Sequence, residues 1–175
     1  MTDPRPSDPF ASTPANAVRS QLAQALVQFM RDTMPLARSM DVQLAACAAD
    51  TLTLRAPLAP NINDKGCAFG GSLVSVMTLA CWALVELALR ERARDCDVFV
   101  GESSVAYLAP VWQDFDAESR LAAGSDWAVF MSTLAARGKA RIEIECVVPD
   151  GHGGNAATLR ARFVAKRRSA PPTGA

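Results

Sequence analysis

The sequence predicts an α+β fold in which an antiparallel sheet wraps around one long central helix, with an added helix near the N-terminus. Residues 71–94 have helical character but are apolar nearly all round through Val85, so this helix must be enclosed by the rest of the chain. Six other segments have the length and composition of strands, and most of them alternate between apolar and polar residues. Few small folds bury one helix inside an antiparallel sheet.

Length and composition predict one domain without a broadly charged surface. The 175 residues, 50% of them hydrophobic, suffice for one core and are too few for two ordinary domains. Eighteen basic residues balance eighteen acidic ones, so the positive field typical of nucleic-acid or anionic-membrane binding is not expected. Segments 1–12 and 169–175 are rich in proline, serine, threonine and alanine and predict disordered tails around a single domain at 13–168.

Cysteine and histidine usage predicts a cytoplasmic protein without a metal site. The five cysteines are scattered without a Cys-x-x-Cys pair, and the first ten residues lack the features of a secretion signal. The only histidine, His152, lies in the glycine-rich run GHGGN, where we expect a loop and where zinc would find no second nitrogen ligand. The uncharged stretch from Cys67 to Val85 could span a membrane by length, but its adjacent glycines and strand-like neighbours favour a buried helix.

The first element is predicted to be an amphipathic helix that packs against the main domain. Thr13 can cap it, Pro14 suits its first position, and Pro35 ends it. The apolar residues predicted for its buried face are Val18, Leu22, Leu26, Phe29 and Met30.

The remaining elements follow from alternation and turn signals. Residues 41–46 and 51–56 alternate with a period of two and predict a hairpin. Between the later strands, Ser125 as N-cap and Gly138 just past the end predict a short helix. The four later strands are predicted at 97–108, 114–121, 139–148 and 156–166.

Two motifs flanking the central helix carry a family resemblance. The run LAPNINDKGCAFGGSL precedes a helix containing TLACW, and the strand GESSVAYLAPV follows it. Over about residues 35–168 the chain resembles the hotdog-fold, thioesterase-like family whose domain occurs alone or C-terminal to acetyltransferase-like domains. The resemblance implies a hotdog fold and hydrolysis of an acyl-CoA or acyl carrier protein thioester. It implies no cofactor beyond the coenzyme A or phosphopantetheine of the substrate.

The resemblance also assigns site residues. Hotdog thioesterases place Asn or Asp in the loop before the central helix, a His-Gly-Gly-like turn at its start and an acidic residue about two turns inside. Asn63 matches the loop position, Phe69-Gly70-Gly71 matches the turn, and Thr78 falls where many relatives carry the carboxylate. Because positions 63 and 78 are not acidic, we expect neither a covalent anhydride nor a carboxylate base there.

The expected chemistry uses main-chain donors and a held water molecule. The N–H groups of Gly70 and Gly71 would polarise the thioester oxygen at the positive end of the helix dipole. The Asn63 amide and the Thr78 hydroxyl are suited to hold the attacking water. Asp64 is the nearest carboxylate in the loop and is the candidate for the base. The alternative is that it binds loop N–H groups or pairs with Lys65.

Substrate binding is assigned to the same loop and turn, through Lys65, Phe69, Gly71 and Ser72. Lys65 is a candidate for the phosphates of the carrier. Further candidates are Arg160, Arg162, Lys166, Arg167 and Arg168, for which a solvated strand face is the alternative.

Other interpretations remain open from the sequence. A non-hydrolytic acyl-CoA or acyl carrier protein binding or assembly module fits the missing carboxylate. Hydratase chemistry would need a histidine paired with an acid at the central helix, where His152 does not lie. Cys67 is interpreted as a small buried group rather than a nucleophile, and Glu86 as lying near an oligomer contact or the helix exit. In relatives the active site lies between subunits, so the resemblance implies a homodimer or dimer of dimers.

Overall fold

The computed structural model describes residues 14–168, which form one six-stranded antiparallel sheet and four α-helices. The helices are α1 (Pro14–Thr33), α2 (Pro35–Ser39), α3 (Gly70–Arg90) and α4 (Trp127–Arg137). The strands are β1 (Gln43–Ala48), β2 (Thr51–Ala56), β3 (Cys96–Tyr107), β4 (Phe115–Leu121), β5 (Lys139–Pro149) and β6 (Asn155–Arg167). Their spatial order is β1-β2-β4-β5-β6-β3. The predicted tails and the Thr13 cap lie outside the described residues.

Helix α3 is enclosed as its composition predicts. It packs against β2, β3, β4, β5 and β6, and its buried side chains include Val76, Met77, Leu84 and Leu87. Within residues 14–168 it is the one helix whose length and composition would allow a membrane crossing, and 61% of its most apolar window is buried inside the protein. That burial is typical of a core helix, because the sheet already covers the apolar surface.

Helix α1 starts at Pro14 as predicted, but the predicted buried face is partly wrong. Val18 and Phe29 are exposed, whereas Arg19 is buried. The Arg19 guanidinium donates to the carbonyl of Ala48 at 2.7 Å and pairs with Glu91, so distant partners compensate for its burial. The buried face is Arg19, Ala23, Leu26, Val27 and Met30. Helix α1 ends at Thr33, and Pro35 begins the short helix α2, which was not predicted from the sequence.

The predicted hairpin (β1 and β2) and the predicted short helix (α4) both form, with ends that differ slightly from the predicted ones. Strand β1 begins two residues later than predicted, because Asp41 adopts a positive φ of 52°. The N-cap of α4 is Asp126 rather than Ser125, since an Asp126 carboxylate oxygen accepts from the N–H groups of Ala128 (2.6 Å) and Val129 (2.9 Å). Gly138 ends the helix at φ 66°, as predicted.

Strand β3 forms one edge of the sheet beside a half-buried side of α3. It pairs with β6 on one side, and no other described strand pairs with its outer side. Trp82 of α3 donates its indole N–H to the carbonyl of Val98 at 3.2 Å, and this hydrogen bond joins the helix to the edge strand. The other end of β3 lies next to the start of α3, because the Tyr107 hydroxyl bonds the carbonyl of Gly70.

Candidate active site

The loop that leads into α3 is fixed by a buried amide. The side-chain NH₂ of Asn61 donates to the carbonyls of Met40 (2.9 Å) and Pro57 (2.8 Å), and its main-chain carbonyl accepts from Phe69 N–H at 2.7 Å. Its side-chain oxygen is buried and has no hydrogen-bond partner among the described residues. These bonds hold the chain in one path up to the first residue of α3.

Asn63 lies in the loop where the motif placed it, but its side chain builds the loop. The amide oxygen accepts from the N–H groups of Lys65 (2.8 Å) and Cys67 (3.3 Å), and the amide NH₂ donates to the Cys67 sulfur at 3.2 Å. Cys67 is buried, in accordance with the prediction of a small buried group. Replacing Asn63 would therefore disturb the loop, so loss of activity in such a variant would not identify a water-binding group.

Asp64 and Lys65 form an exposed ion pair. The Lys65 ammonium lies 3.0 Å from both oxygens of Asp64, and the side chains of Lys65 and Asp64 are 72% and 79% exposed. A pair this exposed contributes little stability. The geometry agrees with the alternative interpretation of Asp64 as the partner of its neighbour and gives no support to a role as base.

The first turn of α3 presents unpaired main-chain donors. Phe69 occupies the N-cap position in extended conformation (φ −68°, ψ 132°) and supplies no side-chain cap. In the described chain the N–H groups of Gly70, Gly71 and Ser72 have no hydrogen-bond acceptor. Three free donors at the positive end of a helix dipole form a site that favours a negatively charged oxygen.

Two aromatic rings flank the glycine turn, Gly70-Gly71. A Cβ atom at Gly71 would overlap the ring of Phe69, and one at Gly70 would lie 3.5 Å from the ring of Tyr107. The Tyr107 hydroxyl donates to the carbonyl of Gly70 at 3.1 Å. Tyr107 was not among the site residues predicted from the sequence. The only signal was that it is the single tyrosine of the chain and stands at the end of a predicted strand.

Thr78 lies on α3 but does not converge with the glycine turn of its own chain. Its hydroxyl donates to the carbonyl of Val74 at 2.7 Å, which leaves the oxygen lone pairs free to accept. Eight residues of helix separate it from Gly70, or about 12 Å along the axis. One thioester carbonyl therefore cannot touch both groups within a single chain.

Glu86 lies still farther along α3 and is buried. Burial raises the pKa of its carboxyl group above the ordinary value, and the Arg90 guanidinium 3.4 Å away opposes this shift. It lies in the last turns of α3, as predicted for the helix exit, and about 24 Å along the axis from Gly70. It is too distant to act at the glycine turn.

Three of the five basic candidates near the end of the chain, Arg160, Arg162 and Arg168, are already paired with carboxylates, and Arg167 donates to the carbonyl of Ala135 at 3.0 Å. Arg160 lies 2.6 Å from a carboxylate oxygen of Glu143, and Arg162 lies 2.8 Å from one of Glu102. Arg168 pairs with Asp97 at 2.8 Å. This arrangement fits the solvated-face interpretation, because these charges are balanced by neighbouring strands.

A groove of about 780 Å³ lies on the outer face of the sheet and includes His152. Several of its polar groups are bonded within the protein. Arg55 binds both oxygens of Asp116 at 2.7 Å, and Asp150 accepts from the main-chain N–H of His152 at 2.7 Å, a bond that lowers the Asp150 pKa. His152 lies in the exposed turn between β5 and β6, as predicted for a loop. Among residues 14–168 no three His, Cys, Asp or Glu side chains cluster to hold a metal ion.

The six-stranded antiparallel sheet around α3 is the hotdog fold. A family model described as "Putative thioesterase (yiiD_Cterm)" matches residues 23–167, and the chain belongs to this family. Both the predicted fold and the predicted family are thereby confirmed.

Solved structures agree with this assignment. A protein of unknown function from Chlorobaculum tepidum is 30% identical, with a TM-score of 0.80 over 86% of this chain and 97% of that one. A protein from Shewanella oneidensis described as a "putative thioesterase" is 27% identical, with a TM-score of 0.74 over 84% and 99% of the two chains. A Pseudomonas aeruginosa protein at 23% identity and a TM-score of 0.71, covering 85% and 96%, shares the fold.

Proposed function

We propose that this protein hydrolyses an acyl thioester of coenzyme A or acyl carrier protein in the cytoplasm, at the glycine turn of α3. One observation carries the proposal: three free N–H groups lie at the start of an enclosed helix, in a chain of the thioesterase family. Exposed apolar side chains around this turn suit the acyl or pantetheine part of such a substrate. Phe69 and Tyr107 lie at the turn itself, and Ile62, Leu108 and Trp112 are exposed in the adjoining loop segments.

The reaction can proceed without a strong protein base. The water oxygen bonds to the carbonyl carbon, and the negative charge that develops on the thioester oxygen is stabilised by the N–H groups of Gly70 and Gly71. The carbon–sulfur bond then breaks, and the electron pair leaves on sulfur. Because a thiol has a pKa near 8.5, thiolate is a good leaving group and takes up the proton released by the water. The products are a carboxylic acid and a free thiol.

We further propose that the working site requires a second copy of the chain. Thr78 and Gly70 are about 12 Å apart along one helix, so a water held by Thr78 must serve the glycine turn of another copy. The open edge of β3, with exposed Phe99 and Val100, offers main-chain groups and apolar surface for pairing. Sedimentation equilibrium is expected to give at least twice 18.6 kDa. A fully active monomer would contradict this arrangement.

A panel of acyl-CoA chain lengths and acyl carrier protein, with thiol release followed by a chromogenic reagent, tests the proposed activity. Thr78→Val keeps the side-chain shape but removes the hydroxyl, and we expect it to lower kcat roughly tenfold to a hundredfold. Thr78→Ser restores a hydroxyl and should recover most of the activity.

The alternative outcome is a binding or assembly module without hydrolysis. It would be established if calorimetry shows acyl-CoA binding while no substrate releases thiol. Two observations favour this alternative. Positions 63 and 78 carry no acidic residue, and Asp64 is paired with Lys65.

A further inference from the structure

We infer that Tyr107 is a positioning residue that orients and strengthens the Gly71 N–H as an oxyanion donor; this inference rests on the proposed function. The observation is the 3.1 Å hydrogen bond from the Tyr107 hydroxyl to the carbonyl of Gly70. The ring of Tyr107 also lies within van der Waals reach of a Cβ built at Gly70. Its hydroxyl thus acts on the glycine turn from outside the helix.

The peptide geometry explains how a bond to one residue affects the next. The Gly70 carbonyl and the Gly71 N–H are opposite ends of one planar peptide unit. A donor on the carbonyl oxygen polarises that unit and makes its N–H a stronger donor, by about 10–30% of the bond strength. The bond also fixes the direction in which the N–H points, which matters for an oxyanion donor.

This turn needs an external support. Two successive glycines have the greatest conformational freedom, and the N-cap Phe69 supplies no side-chain bond to hold them. Tyr107 is itself held on a rigid element, because β3 pairs with β6 up to Ala157 and the next residue, Leu108, donates its N–H to the carbonyl of Ala156 at 2.8 Å. A strand therefore fixes the geometry of a helix terminus 37 residues earlier in sequence.

Tyr107→Phe tests the inference because it removes the hydroxyl and keeps the ring. We expect kcat on the best acyl-CoA of the panel to fall about threefold to tenfold with KM within twofold. In ¹H–¹⁵N spectra the Gly71 amide proton should shift upfield, while the Gly70 amide, which belongs to the preceding peptide unit, should move less. Ring-current effects stay constant because the ring is retained. Gln24→Ala, an exposed change on α1 and away from β3, should leave both measurements unchanged.

The outcomes separate this inference from the proposed function. If the wild type hydrolyses thioesters but Tyr107→Phe has the same kcat and the same Gly71 shift, the positioning role is overturned and the hydrolase stands. A rise in KM at constant kcat would show that Tyr107 contacts substrate, which also overturns it. If the wild type hydrolyses nothing, the proposed function fails and the catalytic role fails with it, whereas the Gly71 shift still reports the hydrogen bond.

Discussion

Replacing Gly70 by proline is expected to lower kcat about 100-fold to 1000-fold while leaving α3 in place. Proline has no N–H, so the change deletes one oxyanion donor, and loss of such a donor has this effect in other acyl-transfer enzymes. The backbone can accept it because Gly70 is the first residue of the helix, where proline is favoured. Phe69 is already extended, as a residue before proline prefers (ψ 132°).

Gly70→Ala is the matched control for this change. It adds a Cβ at ordinary contact distance from Tyr107, 3.5 Å, but keeps the N–H group. We expect it to retain activity within a few-fold of wild type. Steady-state kinetics and thermal unfolding of both variants distinguish the loss of the N–H donor from a loss of stability. Equal activity of the proline and alanine variants, with equal unfolding temperatures, would rule out Gly70 N–H as an oxyanion donor.

The fold was predictable because its main determinants are local in sequence. A helix that is apolar nearly all round has to be enclosed, and α3 is. The strand predicted at 139–148 is β5 (Lys139–Pro149), because the period of two is a property of the strand itself. Gly138 could be placed at the end of α4 since a left-handed residue there has a strong glycine preference.

The remaining structure depends on contacts between residues far apart in sequence. The buried face of α1 could not be read from its apolar residues, because Arg19 is paired with groups 29 and 72 residues away. The same holds for Asn61, whose amide joins carbonyls of two other segments. The spacing of residues in the sequence does not indicate such distant partners.

The sequence motifs indicated the residues of the candidate site, and the structure shows which of their side chains the loop already uses. Family motifs indicated Gly70, Asn63 and Thr78, and the free donors at the glycine turn fit the first of them. Asn63 was expected to hold water, but whether its amide is free depends on loop geometry. In the structure both the oxygen and the NH₂ group of this amide form hydrogen bonds within the loop. Tyr107 reaches the site only because β3 ends beside α3, a consequence of strand order.

Leu84→Ala is expected to lower the free energy of unfolding by about 3–5 kcal/mol. Leu84 lies in α3 and is fully buried in the core between helix and sheet. Its truncation removes apolar contacts and leaves a cavity, and packed elements on every side limit how far the site can collapse. Urea unfolding followed by circular dichroism gives the difference directly, with both proteins at one concentration because assembly adds to stability.

Leu36→Ala makes the same chemical change on the exposed surface of α2, where the side chain is 60% exposed, and should alter stability by no more than about 0.5 kcal/mol. The contrast between the two leucines measures how completely the sheet encloses α3. The proposed site depends on this packing, because a helix held firmly against the sheet keeps its first-turn N–H groups in a fixed direction toward a ligand. If both variants lose equally little stability, α3 is loosely packed, and the fixed geometry assigned to Gly70 and Gly71 is wrong.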